Sequence, residues 1–172
     1  MTFQIRRAAA ADQKTIKSLV RAAGINPLDL KWQRFLIAEE EGQVVGVGQV
    51  RRHGDGSREL ASLAVVPERR GQGIGDALVY ALMAQEGVAR ESGRVFLFCQ
   101  NSLEGYYARF GFAAVGRPEL PPKLRLWHRM GNLMASVASR FEHHPFHIVA
   151  MAAKAPLVGV VATGGGAPLN IA

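Results

Sequence analysis

The first half of the chain has the apolar spacing of strands, with one amphipathic helix near the start. Ile16, Leu19 and Val20 lie on one side of a helix predicted over residues 10–23. Alternating apolar and polar positions predict four strands, over residues 2–7, 34–40, 44–52 and 59–66. Glycine-containing turns at 41–42 and 54–56 separate the last three strands, so these strands should form successive hairpins.

The spacing becomes helical after residue 73. Ile74, Leu78 and Leu82 recur every four residues and predict a helix from residue 73 to about residue 91. The unbroken apolar run at 95–99 is typical of a strand that is covered on both faces. Four further elements are predicted: a short helix over 102–110, a strand over 112–115, an amphipathic helix over 126–141 and a last strand over 146–153.

The amphipathic helix over 126–141 follows a Leu120-Pro121-Pro122 segment that is predicted to be a rigid linker. Its apolar residues share one face: Met130, Leu133, Met134, Val137 and Phe141. We expect this face to be buried on its own domain or on a second subunit, with contact to acidic lipid as the alternative. A homodimer is therefore an open prediction.

The composition is that of an ordinary globular protein. Of the 172 residues, 48% are hydrophobic and 20% are charged, which excludes a disordered chain. We predict one domain over residues 1–154, with a basic helical insert at about 117–145, and a C-terminal tail over 155–172. The chain starts without a signal-peptide pattern and has no apolar stretch long enough to cross a membrane. We therefore expect a cytoplasmic protein without a membrane span.

Several residues that often carry chemistry are predicted to be structural. Cys99 is the one cysteine and lies in an apolar run, which predicts a buried thiol rather than a nucleophile. His143, His144 and His147 lack neighbouring ligands that would complete a metal site, so no metal is expected. The net charge is +7, and residues 117–154 hold six Lys or Arg against two acidic residues. This charge favours anionic partners, but no aromatic residues interleave with the basic ones, so nucleic acid is not expected.

The clearest chemical signal is a strand, a glycine-rich turn and a helix start over residues 59–75. Gly71, Gly73 and Gly75 let the backbone curl tightly and approach a ligand. The first amides of a helix have no partners inside it and lie at the positive end of its dipole, so a diphosphate can bind there. A Walker loop is excluded because Gly-Lys-Ser/Thr is missing, and a nicotinamide fingerprint because the glycines are two residues apart. A strand-to-helix turn without a ligand is the alternative.

Two ordered motifs make the sequence similar to the GNAT superfamily of acetyl-CoA-dependent N-acetyltransferases. Arg70-Gly71-Gln72-Gly73-Ile74-Gly75 matches the family's Arg/Gln-x-x-Gly-x-Gly/Ala loop, and residues 106–112, Tyr-Tyr-Ala-Arg-Phe-Gly-Phe, resemble its Phe-Tyr-x-x-x-Gly-Phe helix end. The resemblance covers residues 2–116 and, less fully, 146–153. It implies an α/β fold with a mixed, mostly antiparallel central sheet flanked by helices, with a helical insert before the last strand.

The resemblance also implies which residues hold the cofactor. Loop amides bind the CoA diphosphate in the family, and backbone of the preceding strand pairs with the pantetheine arm, often beside a bulge. Asn101 is a further candidate that orients the cofactor, although it lies six residues before Tyr107 where seven is usual. The implied cofactor-binding residues are Leu63, Ala64, Val65, Arg70, Gly71, Gln72, Gly73, Ile74, Gly75 and Asn101.

Two side chains are candidates for catalysis. Tyr107 lies where the family places a tyrosine acid, with Tyr106 as its neighbour in the core. Glu59 starts a strand similar to that of N-acetylglutamate synthase-type enzymes, and it is the candidate base because Ala61 occupies the family's other acidic position. The alternatives are two core tyrosines, a solvated carboxylate at residue 59, and a water that acts as the base.

The predicted activity is transfer of the acetyl group of acetyl-CoA to a primary amine by direct attack, without a metal. A small amine or amino acid is favoured as the acceptor over a protein. One alternative is a non-catalytic acetyl-CoA-binding regulatory module. Another is a basic membrane-surface or protein-interaction domain that depends on the segment over 117–145.

Overall fold

The computed structural model describes residues 2–88, 94–138 and 147–154. Within these ranges the strands are β1 (Gln4–Arg7), β2 (Phe35–Glu40), β3 (Gln43–Arg52), β4 (Arg58–Val65), β5 (Arg94–Gln100), β6 (Ala113–Ala114) and β7 (Ile148–Lys154). The α-helices are α1 (Gln13–Ala22), α2 (Ile74–Val88), α3 (Glu104–Ala108) and α4 (Pro122–Ala138). The strand order is β1-β2-β3-β4-β5-β7-β6. The predicted fold class, a mixed sheet flanked by helices with a helix before the last strand, is confirmed.

The chain divides into two compact units. The first contains the described residues of 1–51 and 60–90. The second contains residues 52–59 and the described residues of 91–155. None of the helices in the described ranges is long and apolar enough to cross a bilayer.

Strand β2 lies between β1 and β3 in the first unit and is antiparallel to both. The β2–β3 hairpin closes through Glu41 and Gly42, which have φ angles of 49° and 76°. Both central residues of a type I′ turn need positive φ, so this two-residue turn has the geometry that a tight hairpin favours. The predicted turn position is confirmed.

Helix α1 covers one face of this sheet. Ile16 and Val20 are fully buried, and Leu19 packs beside them. They join a core cluster with strand residues Phe35, Ile37 and Val47. The apolar side that the spacing predicted for this helix is thus the side that packs.

Helix α2 covers the other face, and two glycines in β3 let it come close. A Cβ atom on Gly46 would lie 2.9 Å from Ile74 Cγ2, and one on Gly48 would lie 2.9 Å from Leu82 Cδ1. Separations below 3.0 Å are sterically excluded for a real Cβ atom. Strand β3 therefore gives α2 a smooth backbone surface to pack on.

The second unit is built around β7, which pairs antiparallel with β5 along one edge and with β6 along the other. Phe96 on β5 packs with Ala150 and Ala152 on β7, and with Leu120 and Leu124 before and within α4. This small cluster forms the unit's apolar core.

Helix α4 differs from the prediction in where it begins and in which side it buries. It starts at Pro122, four residues before the predicted start. Proline is favoured at the first helical position because the amide hydrogen that it lacks would have no hydrogen-bond partner inside the helix. Leu124 is fully buried, whereas Met130 and Leu133 are 50% and 67% exposed. Met130 and Leu133 are thus not buried on their own unit, and burial on a second subunit or contact with acidic lipid stay predictions.

Polar side chains occupy the inner side of α4 instead. The His128 ring stacks on Phe98, and its Nε2 lies 2.8 Å from the Ile148 carbonyl oxygen. Asn132 donates to the same carbonyl at 3.1 Å and accepts from the Ile148 amide at 2.9 Å. These bonds satisfy the first backbone groups of β7.

Some predictions lie outside the described residues. These are the end of the helix beyond residue 88, the His143 and His144 segment, residues 139–141 of the amphipathic helix, the start of the last strand at 146, and the tail over 155–172.

Replacement of Gly48 by valine should destabilise the first unit. The new side chain collides with Leu82 and with Leu63, whose Cδ1 lies 3.2 Å from the Cβ position, so these side chains or α2 must shift. We expect the free energy of unfolding to fall by about 1–3 kcal/mol, measured by urea denaturation. Gly105→Ala is the control, because nothing lies within 4 Å of its Cβ position. Equal stability of Gly48→Val and wild type would show that α2 does not need this close approach.

Candidate active site

The exposed turn between β4 and α2 is held at both ends by hydrogen bonds. The Val66 amide donates to the Val45 carbonyl at 3.0 Å, and Arg70 Nε donates to the Val65 carbonyl at 3.2 Å. A short 3-10 turn, Pro67–Arg69, leads from the strand into the glycine segment. The strand, turn and helix start predicted from the sequence are confirmed.

The glycines at 71 and 73 are required by the backbone path. Their φ angles are 73° and 79°, which lie in the left-handed region that side chains disfavour. No atom lies within 4 Å of a Cβ built on either residue. The loop therefore presents open backbone rather than a packed surface.

The start of α2 offers unbonded amides at this open loop. The Ala77 amide makes the first helical bond, to the Gly73 carbonyl at 2.9 Å. The amides of Ile74 and Gly75 therefore precede the first helical bond and have no partner inside the helix. Gly73 itself has no side chain to cap them, and the helix dipole makes this end partly positive. The arrangement suits an anionic group such as a diphosphate.

Arg69 and Arg70 differ in what they contact. The Arg69 guanidinium forms an ion pair with Glu40 and lies 3.5 Å from Gln72 Oε1. Gln72 donates from Nε2 to the Glu68 carbonyl at 3.2 Å. Arg70 is exposed and bonds a neutral carbonyl, so its charge is the one available at the loop.

Strand β4 is irregular just before the residues assigned to the pantetheine arm. Ser62 has a φ of 56°, the left-handed backbone that accompanies a bulge. Its hydroxyl oxygen accepts a hydrogen bond from Gln49 Nε2 at 3.1 Å, and both side chains are buried. Leu63 and Val65 beyond it are half-buried and Ala64 is buried. The break in the strand is a feature that the residue pattern alone did not reveal.

Glu59 is buried and pairs with a histidine that the sequence analysis missed. Its Oε2 lies 2.8 Å from His53 Nε2, and the residue is only 9% exposed. The alternative of a solvated carboxylate is therefore wrong. His53 donates from its backbone to the Ser57 carbonyl at 2.9 Å, so 53 and 57 face each other across the hairpin turn. Glu59 is then the diagonal neighbour of His53, and the hairpin register could have identified the pair.

Tyr107 lies in α3 with its hydroxyl partly withdrawn from water. Burial, with a smaller contribution from the nearby Cys99, raises the pKa of Tyr107 to about 12. The Tyr106 ring meets the Tyr107 ring edge-on at 4.9 Å. Tyr106 is only half-buried and the Arg109 guanidinium lies 4.9 Å from its ring centre. The core aromatic of this helix end is Phe110, at 1% exposure, so the expectation that Tyr106 fills the core is wrong.

Cys99 is a buried thiol, as predicted. Burial, with a smaller effect of Glu104, raises the pKa of Cys99 to about 11. The sulfur lies 3.8 Å from the Met151 sulfur. A thiol that stays protonated at neutral pH is a poor nucleophile.

Asn101 connects β5 to the residue before β7. Its Oδ1 accepts from the His147 amide at 3.3 Å, and its own amide donates to the His147 carbonyl at 3.1 Å. No group of three or more His, Cys, Asp or Glu side chains in the described residues could hold a metal ion.

The amino-acid sequence of this region matches the model of a known protein family. The model, described as an acetyltransferase (GNAT) domain, matches residues 31–114. Residues 31–114 thus carry a GNAT domain. Its loop glycines, the irregular β4 and the unbonded start of α2 all fall inside the matched range.

Known GNAT proteins are similar over much of this chain. An uncharacterized N-acetyltransferase of Chlorobaculum tepidum is 33% identical over 93 residues, which are 52% of this chain and 56% of the relative. This chain thus spans little more than half the length of that protein.

Solved structures confirm the GNAT fold. N-acetylglutamate synthase of Neisseria gonorrhoeae, solved with coenzyme A and N-acetyl-glutamate, has a TM-score of 0.69 and 22% identity, over 91% of this chain and 36% of the synthase. Rv2747 of Mycobacterium tuberculosis, solved in complex with CoA, has a TM-score of 0.66 and 24% identity, over 88% of this chain and 99% of that protein.

Proposed function

We propose that this protein transfers the acetyl group of acetyl-CoA to a primary amine, with a small amine or amino acid as the acceptor. The observation that carries the proposal is the open loop with positive φ at Gly71 and Gly73, next to unbonded amides at the start of α2. These amides and Arg70 bind the diphosphate of CoA. The GNAT neighbours solved with coenzyme A support this assignment.

The irregular strand supplies the second part of the cofactor site. Beyond Ser62 the pleat is broken, which frees backbone groups of residues 63–65 to pair with the amides of the pantetheine arm. Asn101 is proposed to orient the cofactor, with its Oδ1 already held by His147. Acetyl-CoA is the co-substrate and the reaction needs no metal.

The chemistry requires that the protonated amine loses two protons, one before it attacks and one as the amide forms, and that the departing sulfur gains one. An alkyl amine with a pKa of about 10 is protonated at pH 7 and attacks only after it loses a proton. Its lone pair then adds to the thioester carbonyl, and the carbon–sulfur bond breaks with its electron pair on sulfur. The products are the amide and CoA.

Tyr107 is the proposed acid for the sulfur. A pKa of about 12 ensures that the hydroxyl carries its proton throughout the neutral range. Proton transfer from such a hydroxyl to a thiolate of pKa about 8.5 costs about 5 kcal/mol by itself. We therefore propose that Tyr107 first donates a hydrogen bond to the sulfur as negative charge builds there. The proton transfer to sulfur is then completed as the attacking nitrogen, which becomes far more acidic once it is bonded to the carbonyl carbon, loses its remaining extra proton.

Glu59 and His53 are the proposed base pair. The carboxylate accepts the amine proton directly or through one water, and the hydrogen bond from the His53 ring keeps it oriented. Both side chains are about 10% exposed, at 8% for His53 and 11% for Glu59, which limits competition from bulk water. A water alone as the base is the alternative.

An amino acid acceptor has the most support among amines. The synthase of Neisseria gonorrhoeae was solved with N-acetyl-glutamate, an acetylated amino acid. The second candidate function is a regulatory module that binds acetyl-CoA and transfers nothing. A thiol-release assay with amino acids, polyamines and peptides separates the two, because the module binds the cofactor but releases no thiol with any amine.

Gly73→Ala should weaken CoA binding through strain and bulk at the diphosphate loop. The residue has a φ of 79°, and the added methyl group projects into the open space that the ligand would occupy. We expect at least about tenfold weaker binding by calorimetry, since left-handed backbone costs about 1–2 kcal/mol for a residue with a Cβ.

Gly24→Ala is the matched control for this loop variant. Gly24 has a φ of 68°, also without an atom near its Cβ position, but it follows α1. It should lose similar stability while CoA affinity stays unchanged. Equal CoA affinity in both variants would show that the loop does not hold the diphosphate.

Tyr107→Phe should lower turnover by about 10²–10⁴-fold and leave CoA affinity unchanged, because the lost hydroxyl acts only as the sulfur departs. Steady-state kinetics and calorimetry measure the two quantities. Tyr106→Phe, which changes the neighbouring ring in the same way, should retain activity. Equal turnover of Tyr107→Phe and wild type would remove this residue from the mechanism.

Glu59→Gln should lower kcat/KM by about 10²–10⁴-fold and flatten the rise of the rate with pH that the base produces. His53→Gln should lower kcat/KM by a smaller factor, because it changes the partner that orients the carboxylate. Glu68→Gln, at an exposed carboxylate, is the control. If the profile of Glu59→Gln matches wild type, water or another group is the base.

A further inference from the structure

The outer face of α4 carries most of the large hydrophobic side chains that are exposed in the described part of the chain. Six such side chains are exposed there, and four of them lie in this helix between residues 126 and 133. The four are Leu126, Trp127, Met130 and Leu133, and the first and last are 58% and 67% exposed. Leu126, Met130 and Leu133 recur at helical spacing, so they form one stripe.

The exposure is not the result of a poorly packed helix. The opposite side of α4 is anchored by the fully buried Leu124 and by the hydrogen bonds of His128 and Asn132 to Ile148. The helix therefore has an inner side that binds β7 through His128 and Asn132, and an outer side on which Leu126, Met130 and Leu133 are at least half exposed. Large exposed apolar patches commonly mark binding surfaces.

The charges next to this face are all positive. Helix Pro122–Ala138 contains no Asp or Glu, and both Arg125 and Arg129 are exposed. Arg125 donates to the neutral carbonyls of Pro118 and Leu120, so its charge is not cancelled. An occupant of this face must therefore combine apolar contact with negative charge.

A second copy of the chain does not meet this requirement. Two-fold pairing of the face with itself would place the arginines of both copies, Arg125 and Arg129, in one interface, with no acidic residue on either helix to pair with them. Unpaired like charges in an interface are destabilising, because they are partly desolvated there.

We propose that α4 binds the surface of anionic membranes, with its axis in the plane of the lipid headgroups. Leu126, Met130 and Leu133 enter the boundary between headgroups and acyl chains. Trp127 lies at the edge of the stripe, where an amphipathic ring is favoured. The arginines extend along the apolar border to the lipid phosphates. This is binding at the surface and requires no membrane span.

Tryptophan fluorescence of the full-length protein tests the proposal. The chain has two tryptophans, so Trp32→Phe leaves Trp127 as the sole reporter. Vesicles of equal parts phosphatidylcholine and phosphatidylglycerol should shift the Trp127 emission to the blue and co-sediment the protein. Vesicles of phosphatidylcholine alone should do neither, and added salt should reverse the effect.

Substitutions on this helix separate the apolar and electrostatic contributions. Leu126→Glu should weaken vesicle binding at least about tenfold, the expected effect of losing one buried leucine. Arg129→Gln should weaken it about fivefold, as expected for one charge near the surface. The matched controls are Leu28→Glu, 55% exposed in the first unit, and Arg21→Gln on α1. Circular dichroism confirms that each variant is folded.

Three outcomes would overturn the proposal. The first is equal binding to neutral and anionic vesicles, or to neither. The second is vesicle binding that Leu126→Glu and Leu28→Glu reduce equally. The third is a dimeric wild type in analytical ultracentrifugation that becomes monomeric in Leu126→Glu, which would assign the face to a second copy.

Discussion

The close approach of α2 to β3 is the contact on which the rest of the candidate site depends. Gly46 and Gly48 remove the side chains that would hold the helix away, and Ile74, Leu78 and Leu82 fill the space. Ile74 is also the first residue of α2, so the packing that seats the helix fixes its first amides as well. The loop before it must then turn back within a few residues, and the positive φ angles at 71 and 73 are the result. Steric packing in the core thus determines where the unbonded amides at the start of α2 are exposed.

Burial acts on two ionisable side chains of the second unit with different chemical results. It raises the pKa of Cys99 to about 11 and that of Tyr107 to about 12, which keeps a thiol inert and a hydroxyl protonated. The same desolvation that makes the cysteine a poor nucleophile therefore leaves the tyrosine able to donate a hydrogen bond. Glu59, in the same unit, is buried with its Oε2 2.8 Å from His53 Nε2.

The amino-acid sequence was sufficient for the parts of the protein that local physical chemistry controls. Apolar spacing predicted the strands and α2, and the glycine pattern predicted the loop, because each is determined by neighbours within a few residues. His53 was missed because its role depends on a hairpin partner six residues away rather than on a motif. The left-handed Ser62 was also missed, since serine carries no signal for positive φ.

Helix α4 shows that periodicity can identify a helix without determining which of its faces packs on its own unit. The rule that the apolar face is buried assumes that apolar contacts are the strongest demand on the inner side. At the start of β7, however, the Ile148 amide and carbonyl need hydrogen-bond partners, and an unsatisfied buried backbone group costs more than one exposed leucine. Asn132 and His128 meet that need at 2.9 Å and 2.8 Å. With the inner side committed to polar bonds, the stripe of Leu126, Met130 and Leu133 must face outward. The exposed arginines beside that stripe, Arg125 and Arg129, then favour an occupant that combines apolar contact with negative charge.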